Sequence, residues 1–177
     1  MVRVPCILTI RRDVDGGLFT GSEFSRTTLF GRALAFAQSN DEKNFAFVDF
    51  EEDYHVPSIV DAAQAFDVRI IRSFHDMNGP VYDIRKKCDS MRKTGYEIPK
   101  IAFMPKTMND VTNLFKETAD FTDYDHILCA MGPMGLPSRL LAERTHSYLS
   151  FVSPTETEGI MFPFSSISTA STKATST

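Results

Sequence analysis

Short apolar runs alternate with amphipathic stretches along most of this 177-residue chain, and that alternation constrains the fold more than any other feature. The strand candidates are Pro5–Arg11, Phe45–Glu51, Val68–Phe74, Ile101–Met104, His126–Met131 and Ser147–Val152. Most are apolar on both faces, which is how strands covered on both sides read, as in parallel sheets. Between them, Phe24–Gln38, Val56–Phe66, Val81–Thr94, Met108–Thr118 and Ser138–Glu143 carry apolar residues at helical spacing. Strand followed by helix, repeated, predicts an α/β fold of βα units joined by right-handed crossovers.

The bulk numbers narrow the partners. At 42% apolar residues and a formal charge of −4, the chain suits one sizeable core. Its mild acidity argues against a nucleic-acid binder, which carries a basic surface. No apolar run approaches the roughly 18 residues that span a bilayer, and the opening MVRVPCILTIRR lacks a secretory pattern. The three cysteines, Cys6, Cys88 and Cys129, are far apart and form no CxxC pair. They point to neither a disulfide framework nor zinc, and a reducing cytoplasm is the simplest setting. Cys6 and Cys129 sit in apolar runs and read as small buried hydrophobes. Residues 161–177 are mostly Ser and Thr and read as a disordered or loosely attached tail after a domain covering 1–160.

Polar groups at the ends of apolar strands are the informative exceptions. Arg11 and Arg12 close the first candidate, Glu51 closes the second, His75 follows the third, and Met131 and Gly132 end the fifth. Ligands bind at the carboxyl ends of strands in barrels and open parallel sheets alike. Lys100 opens the run KIAFMP, with Ala102 and Met104 on its face and Ile101 and Phe103 on the other. Two readings stand. A desolvated amine there is a nucleophile toward carbonyls; alternatively it is a strand-end lysine whose stem covers apolar area. No metal-ligand spacing, GxGxxG, P-loop or GxSxG elbow occurs.

Five segments, in order, resemble the type I 3-dehydroquinate dehydratases. They are LTIRRDVDGG (Leu8–Gly17), VDFE (Val48–Glu51), RSFHD (Arg72–Asp76), IPKIAFMPKT (Ile98–Thr107) and AMGPMGLPSR (Ala130–Arg139). The resemblance covers roughly Pro5 to Phe151, and the fourth segment is its most specific match. It implies a (β/α)8 TIM-type barrel, with about six of the eight βα units in this chain. It further implies a hydro-lyase of the shikimate pathway (aromatic amino acid biosynthesis), which turns 3-dehydroquinate into 3-dehydroshikimate and water without a cofactor. Lys100 would form the Schiff base, and His75 would act as general base and then acid, with Asp15 orienting it. Arg139 would hold the substrate carboxylate. Arg11, Glu51, Met131 and Phe151 would complete the substrate pocket, in a cytoplasmic homodimer.

The chain departs from the family pattern at three places. Asp15 stands where the family commonly has Glu, so a His75–Asp15 bond would need a shifted loop or a bridging water. The family's first two strands, with an acidic residue and an arginine of the site, have no counterpart here. TETEGIM (Thr155–Met161) replaces the family's lid sequence. A truncated non-catalytic homologue, or another Schiff-base lyase or aldolase on the same barrel, are the alternatives these departures leave.

Overall fold

The computed structural model describes residues 4–38 and 45–151. Five strands form one sheet in sequence order: β1 (Ile7–Thr9), β2 (Phe47–Glu51), β3 (Arg69–Asp76), β4 (Ile98–Phe103) and β5 (Ile127–Ala130). Every pairing is parallel. The helices between them are α1 (Glu23–Gln38), α2 (Pro57–Ala65), α3 (Ile84–Met91) and α4 (Met108–Thr118), with the short α5 (Leu136–Leu140) after β5. A strand order that never reverses is the order of a barrel wall, whereas doubly wound sheets reverse at a switch point.

Local chemistry explains where the helices begin. Pro57 occupies the first turn of α2, where a missing N–H costs nothing. Thr107 and Asp110 form a reciprocal capping box on α4. Gly135 precedes α5 because a Cβ there would lie 2.0 Å from the Ala130 carbonyl oxygen. That glycine lets the turn fold back onto the end of β5.

The two faces of the sheet differ sharply in chemistry. Outward-facing Val48, Phe50 and Ile70 pack with Phe30 and Leu34 of α1 and with Ile59 and Ala63 of α2. Ile101, Phe103, Leu128 and Ala130 pack likewise with Ile84, Cys88, Val111 and Leu114 of α3 and α4. On the inward face an apolar floor, Phe47, Ile71, Ile98 and Ile127, lies at the amino ends of the strands. Period-two continuation along the same strands then brings Asp49, Glu51, Ser73, His75 and Lys100 onto that face toward the carboxyl ends.

Four sequence expectations change. Ser147–Val152 is not a strand: its described part makes one parallel bridge, Ser147 to His126. The Ser147 hydroxyl accepts the Leu128 N–H, a bond that a further strand's carbonyl would have taken. Strand β4 begins at Ile98, so Lys100 is interior to it rather than its first residue. Ser138–Glu143 divides between α5 and a 3-10 turn, Ala142–Thr145. Cys6 is exposed beside the edge strand, although Cys88 and Cys129 are buried. The expected tail at 161–177 and the TETEGIM segment lie outside the described residues. No described helix is long and apolar enough to cross a membrane.

Candidate active site

Lys100 is 7% exposed in the middle of β4 and points to the inner face. Its ammonium is matched by Asp49, with Nζ 2.9 Å from Oδ2. Arg11, just past the end of β1, reaches the same oxygen at 2.7 Å and donates to Glu51 Oε1 at 2.7 Å and Ser73 Oγ at 2.8 Å. Glu51 is gripped from behind by the fully buried Arg26, which also pairs with Glu23 and donates to the Ile10 carbonyl. Three cations and three carboxylates therefore alternate from β4 back to α1. Burial pushes the Asp49 carboxyl up, but the charges of Lys100 and Arg11 and the bonds from Ser73 and Arg11 outweigh it and hold the group well below its usual range.

A cavity of about 150 Å³ opens over this network, smaller than the ~300–1,000 Å³ typical for drug-sized ligands, which suits a small metabolite. Lys100, His75, Arg11 and Asp15 supply its polar lining, and Met131, Cys129, Ala102, Met77 and Phe151 its apolar walls. The Phe151 ring centre lies 4.5 Å from Lys100 Nζ, a cation–π contact that also shields the amine from water. The Nδ1 atom of His75 is buried and has no hydrogen-bond partner among the described residues. Burial, joined by the positive charges of Arg11 and Lys100, pushes this imidazole down to about 3, so it is neutral at physiological pH. Burial likewise raises the Cys129 thiol and keeps it protonated. Among the described residues no cluster of His, Cys, Asp and Glu could hold a metal ion. The arrangement thus puts a primary amine and an unprotonated imidazole on one small cavity, a pairing suited to carbonyl addition and proton transfer.

A family model described as type I 3-dehydroquinase matches residues 1–169. The chain belongs to the type I 3-dehydroquinase family. It is 30% identical over 157 residues to the 3-dehydroquinate dehydratase of Methanosarcina mazei, covering 85% of this chain and 63% of that protein. It is 31% identical over 156 residues to the enzyme of that name from Aromatoleum aromaticum, covering 84% and 58%. The type I 3-dehydroquinate dehydratase of Clostridium difficile, solved with covalent modified comenic acid, superposes with a TM-score of 0.75 at 27% identity over 91% of this chain and 65% of its own. The Geobacillus kaustophilus 3-dehydroquinate dehydratase shares the fold at a TM-score of 0.76 and 23% identity. The chain spans about three fifths of the length of the curated relatives it matches. Its five parallel strands are the corresponding part of the family's TIM barrel.

The family residues named from sequence take several positions. Lys100, His75, Arg11, Asp15, Met131 and Phe151 all line the one cavity. Glu51 lies behind Arg11, bonded to it and to Arg26. Arg139 is not among the cavity-lining residues: it is buried behind the end of β5 and donates to the carbonyls of Ala130 at 2.6 Å and Gly132 at 3.0 Å. The expected His75–Asp15 bond is not made: the Asp15 carboxylate accepts instead from Arg12 Nε at 2.6 Å. Sequence reasoning passed over Asp49, Arg26 and Ser73. Asp49 carried a usable signal, since a carboxylate between Val48 and Phe50 in a doubly covered strand demands a buried cation. Arg26 carried none, because an arginine in the first turns of an amphipathic helix ordinarily faces water.

Proposed function

We propose that this chain carries the Schiff-base centre of a 3-dehydroquinate dehydratase, with Lys100 as nucleophile and His75 as the proton-transfer group. The observation that supports this best is the shared cavity: a mid-strand lysine and a neutral, buried imidazole face the same small space. The Lys100 amine adds to the C3 ketone of 3-dehydroquinate, and loss of one water gives the imine. Protonated, the imine acidifies the C2 proton, which His75 accepts as general base. The electron pair left at C2 passes into an enamine and then expels the C1 hydroxyl, which departs as water with the proton His75 returns. Hydrolysis of the imine frees 3-dehydroshikimate and Lys100, for a net loss of one water.

Arg11 lines the cavity together with Lys100, and both donate to Asp49 Oδ2. Met131 and Phe151 exclude water from the imine. Arg139 anchors the substrate carboxylate through donors beyond the two it gives to Ala130 and Gly132. Three free cysteines support a reducing cytoplasm. Exposed Leu18 and Phe24 support a homodimer that covers the β1 side.

Borohydride reduction in the presence of 3-dehydroquinate tests this reading. One substrate-derived mass on Lys100, absent from Lys100→Ala, is the expected result; an unmodified folded protein rejects the Schiff base. The capture of Asp15 by Arg12 favours a second reading, a homologue that binds the substrate and does not turn it over. Growth of the conjugated-enone absorbance of the product would exclude that reading.

A further inference from the structure

The Asp15 carboxylate is the acid among the cavity-lining residues, and it is already occupied. Asp13–Asp15 forms a 3-10 turn, whose three-residue period stacks residue 15 over residue 12. The Asp15 and Gly17 amides both close on the Arg12 carbonyl, at 3.1 and 2.8 Å. A Cβ on Gly17 would lie 2.3 Å from the Arg11 carbonyl oxygen, so the turn is held tightly against the end of β1. The guanidinium of Arg12 then bonds on two edges. Its Nε donates to Asp15 at 2.6 Å, and Nη1 and Nη2 donate to the two oxygens of Asp53 at 3.0 Å each. Asp53 is thus the second carboxylate that this guanidinium meets, on the solvent side. His75, across the same cavity, has a buried Nδ1 without a partner among the described residues.

We propose that Arg12 is a positioning residue for His75: clamped by Asp53, it holds Asp15 away from the imidazole, and release of that clamp hands the carboxylate to Nδ1. The inference rests on the reading of His75 as the proton-transfer group. A carboxylate on Nδ1 fixes that nitrogen as the donor and leaves Nε2 as the acceptor. The other charged and titratable groups around the imidazole are Arg11 after β1, Asp49 on β2, Lys100 on β4 and the Cys129 thiol on β5. Asp49 is committed to Lys100 and Arg11. Asp15 is therefore the carboxylate that a change at Arg12 would free.

Histidine-labelled protein, titrated by NMR without substrate, provides the test, with His55, His126 and His146 as internal references. Arg12→Gln is expected to raise the His75 midpoint by about one pH unit or more. Arg12→Gln combined with Asp15→Asn should lose most of that rise and keep only the part due to removing a cation. Asp15→Asn alone, an isosteric change, should leave the midpoint within about 0.3 unit of wild type. An unmoved midpoint in Arg12→Gln overturns the proposal. So does a double variant that matches the single one, or a clear fall in Asp15→Asn, which would mean Asp15 already serves His75. If Arg12→Gln does not fold, Asp53→Asn, which loosens the clamp at an exposed position, should raise the midpoint instead, and an unmoved midpoint there overturns the proposal. The titration uses no turnover, so it stands or falls separately from the borohydride result. Where turnover is present, Arg12→Gln should move the acid limb of its pH profile in the same direction.

Discussion

The two walls of the cavity solve the problem of buried polarity in opposite ways. On one side, Lys100 of β4, Asp49 of β2, Arg11 after β1, Glu51 of β2 and Arg26 of α1 pair in succession, and each charge meets an opposite one within hydrogen-bond distance. On the β3 side, His75 presents a buried nitrogen with no partner among the described residues, and avoids the cost of burying a charge by staying neutral. The first wall balances every buried charge with an opposite one, although Asp49 Oδ1 accepts no hydrogen bond among the described residues. The second leaves a ring nitrogen free to take a partner. The two thus differ in how burial is met: opposite charges in the first, neutrality in the second.

Removing a member of the charge-paired wall is the largest way to break the comparison. Asp49→Ala leaves the Lys100 ammonium without its partner and Arg11 with one carboxylate fewer, both in the interior. Stranding a buried charge costs about 3–5 kcal/mol. Urea unfolding should show the midpoint lowered by that loss divided by the m-value, with the m-value itself unchanged. A loss below about 1 kcal/mol would mean that water reaches Lys100, and that the wall is not closed.

The open wall shows itself in pH dependence. His75 has a folded value of about 3 against an unfolded value of 6.5. Between those limits the unfolded chain binds the extra proton, so stability rises with pH across the window. The contribution is fully present above about 6.5 and is lost as pH falls toward 3, with a slope of at most about 1.4 kcal/mol per pH unit. Chemical denaturation at pH 7 and pH 5 should show the loss, and His75→Gln should flatten it. An equal slope in His75→Gln would assign the acid sensitivity to another group.

Much of this arrangement was legible in the sequence, for a definite reason. Runs such as FAFVDFE and IPKIAFMP state which strands are covered on both faces, and one period-two repeat puts Lys100 with Ala102 and Met104. The ordered motifs then brought Arg11, His75, Lys100 and Met131 to one cavity. What stayed hidden depends on turns and on partners far away in sequence. The Arg12–Asp15 pair needs the 3-10 turn, and nothing in RRDVDGG distinguishes that turn from a wider loop. Ser147–Val152 has strand composition, but the Ser147 hydroxyl takes the place of a ladder carbonyl, which periodicity does not register. Arg26 looked like a surface residue because its partner, Glu51, lies on another element.

The smallest effect sharpens the contrast between inside and outside. Lys87 and Glu52 form an ion pair at 2.7 Å, closer than Lys100 and Asp49 at 2.9 Å, yet their side chains are 27% and 32% exposed against 9% and 3%. Distance alone would rank the outer pair as the stronger. Solvent decides otherwise: at high effective dielectric the attraction falls to about 1 kcal/mol at 4 Å, and ordering two long side chains offsets part of it. Glu52→Gln should therefore cost less than about 1 kcal/mol, and raising the salt concentration should shrink that difference further. The Asp49→Ala loss should hold nearly constant over the same salt range, because counterions do not reach a closed interior. If both losses respond to salt alike, the cavity floor is wet, and Lys100 sits in an environment closer to the surface than its burial indicates.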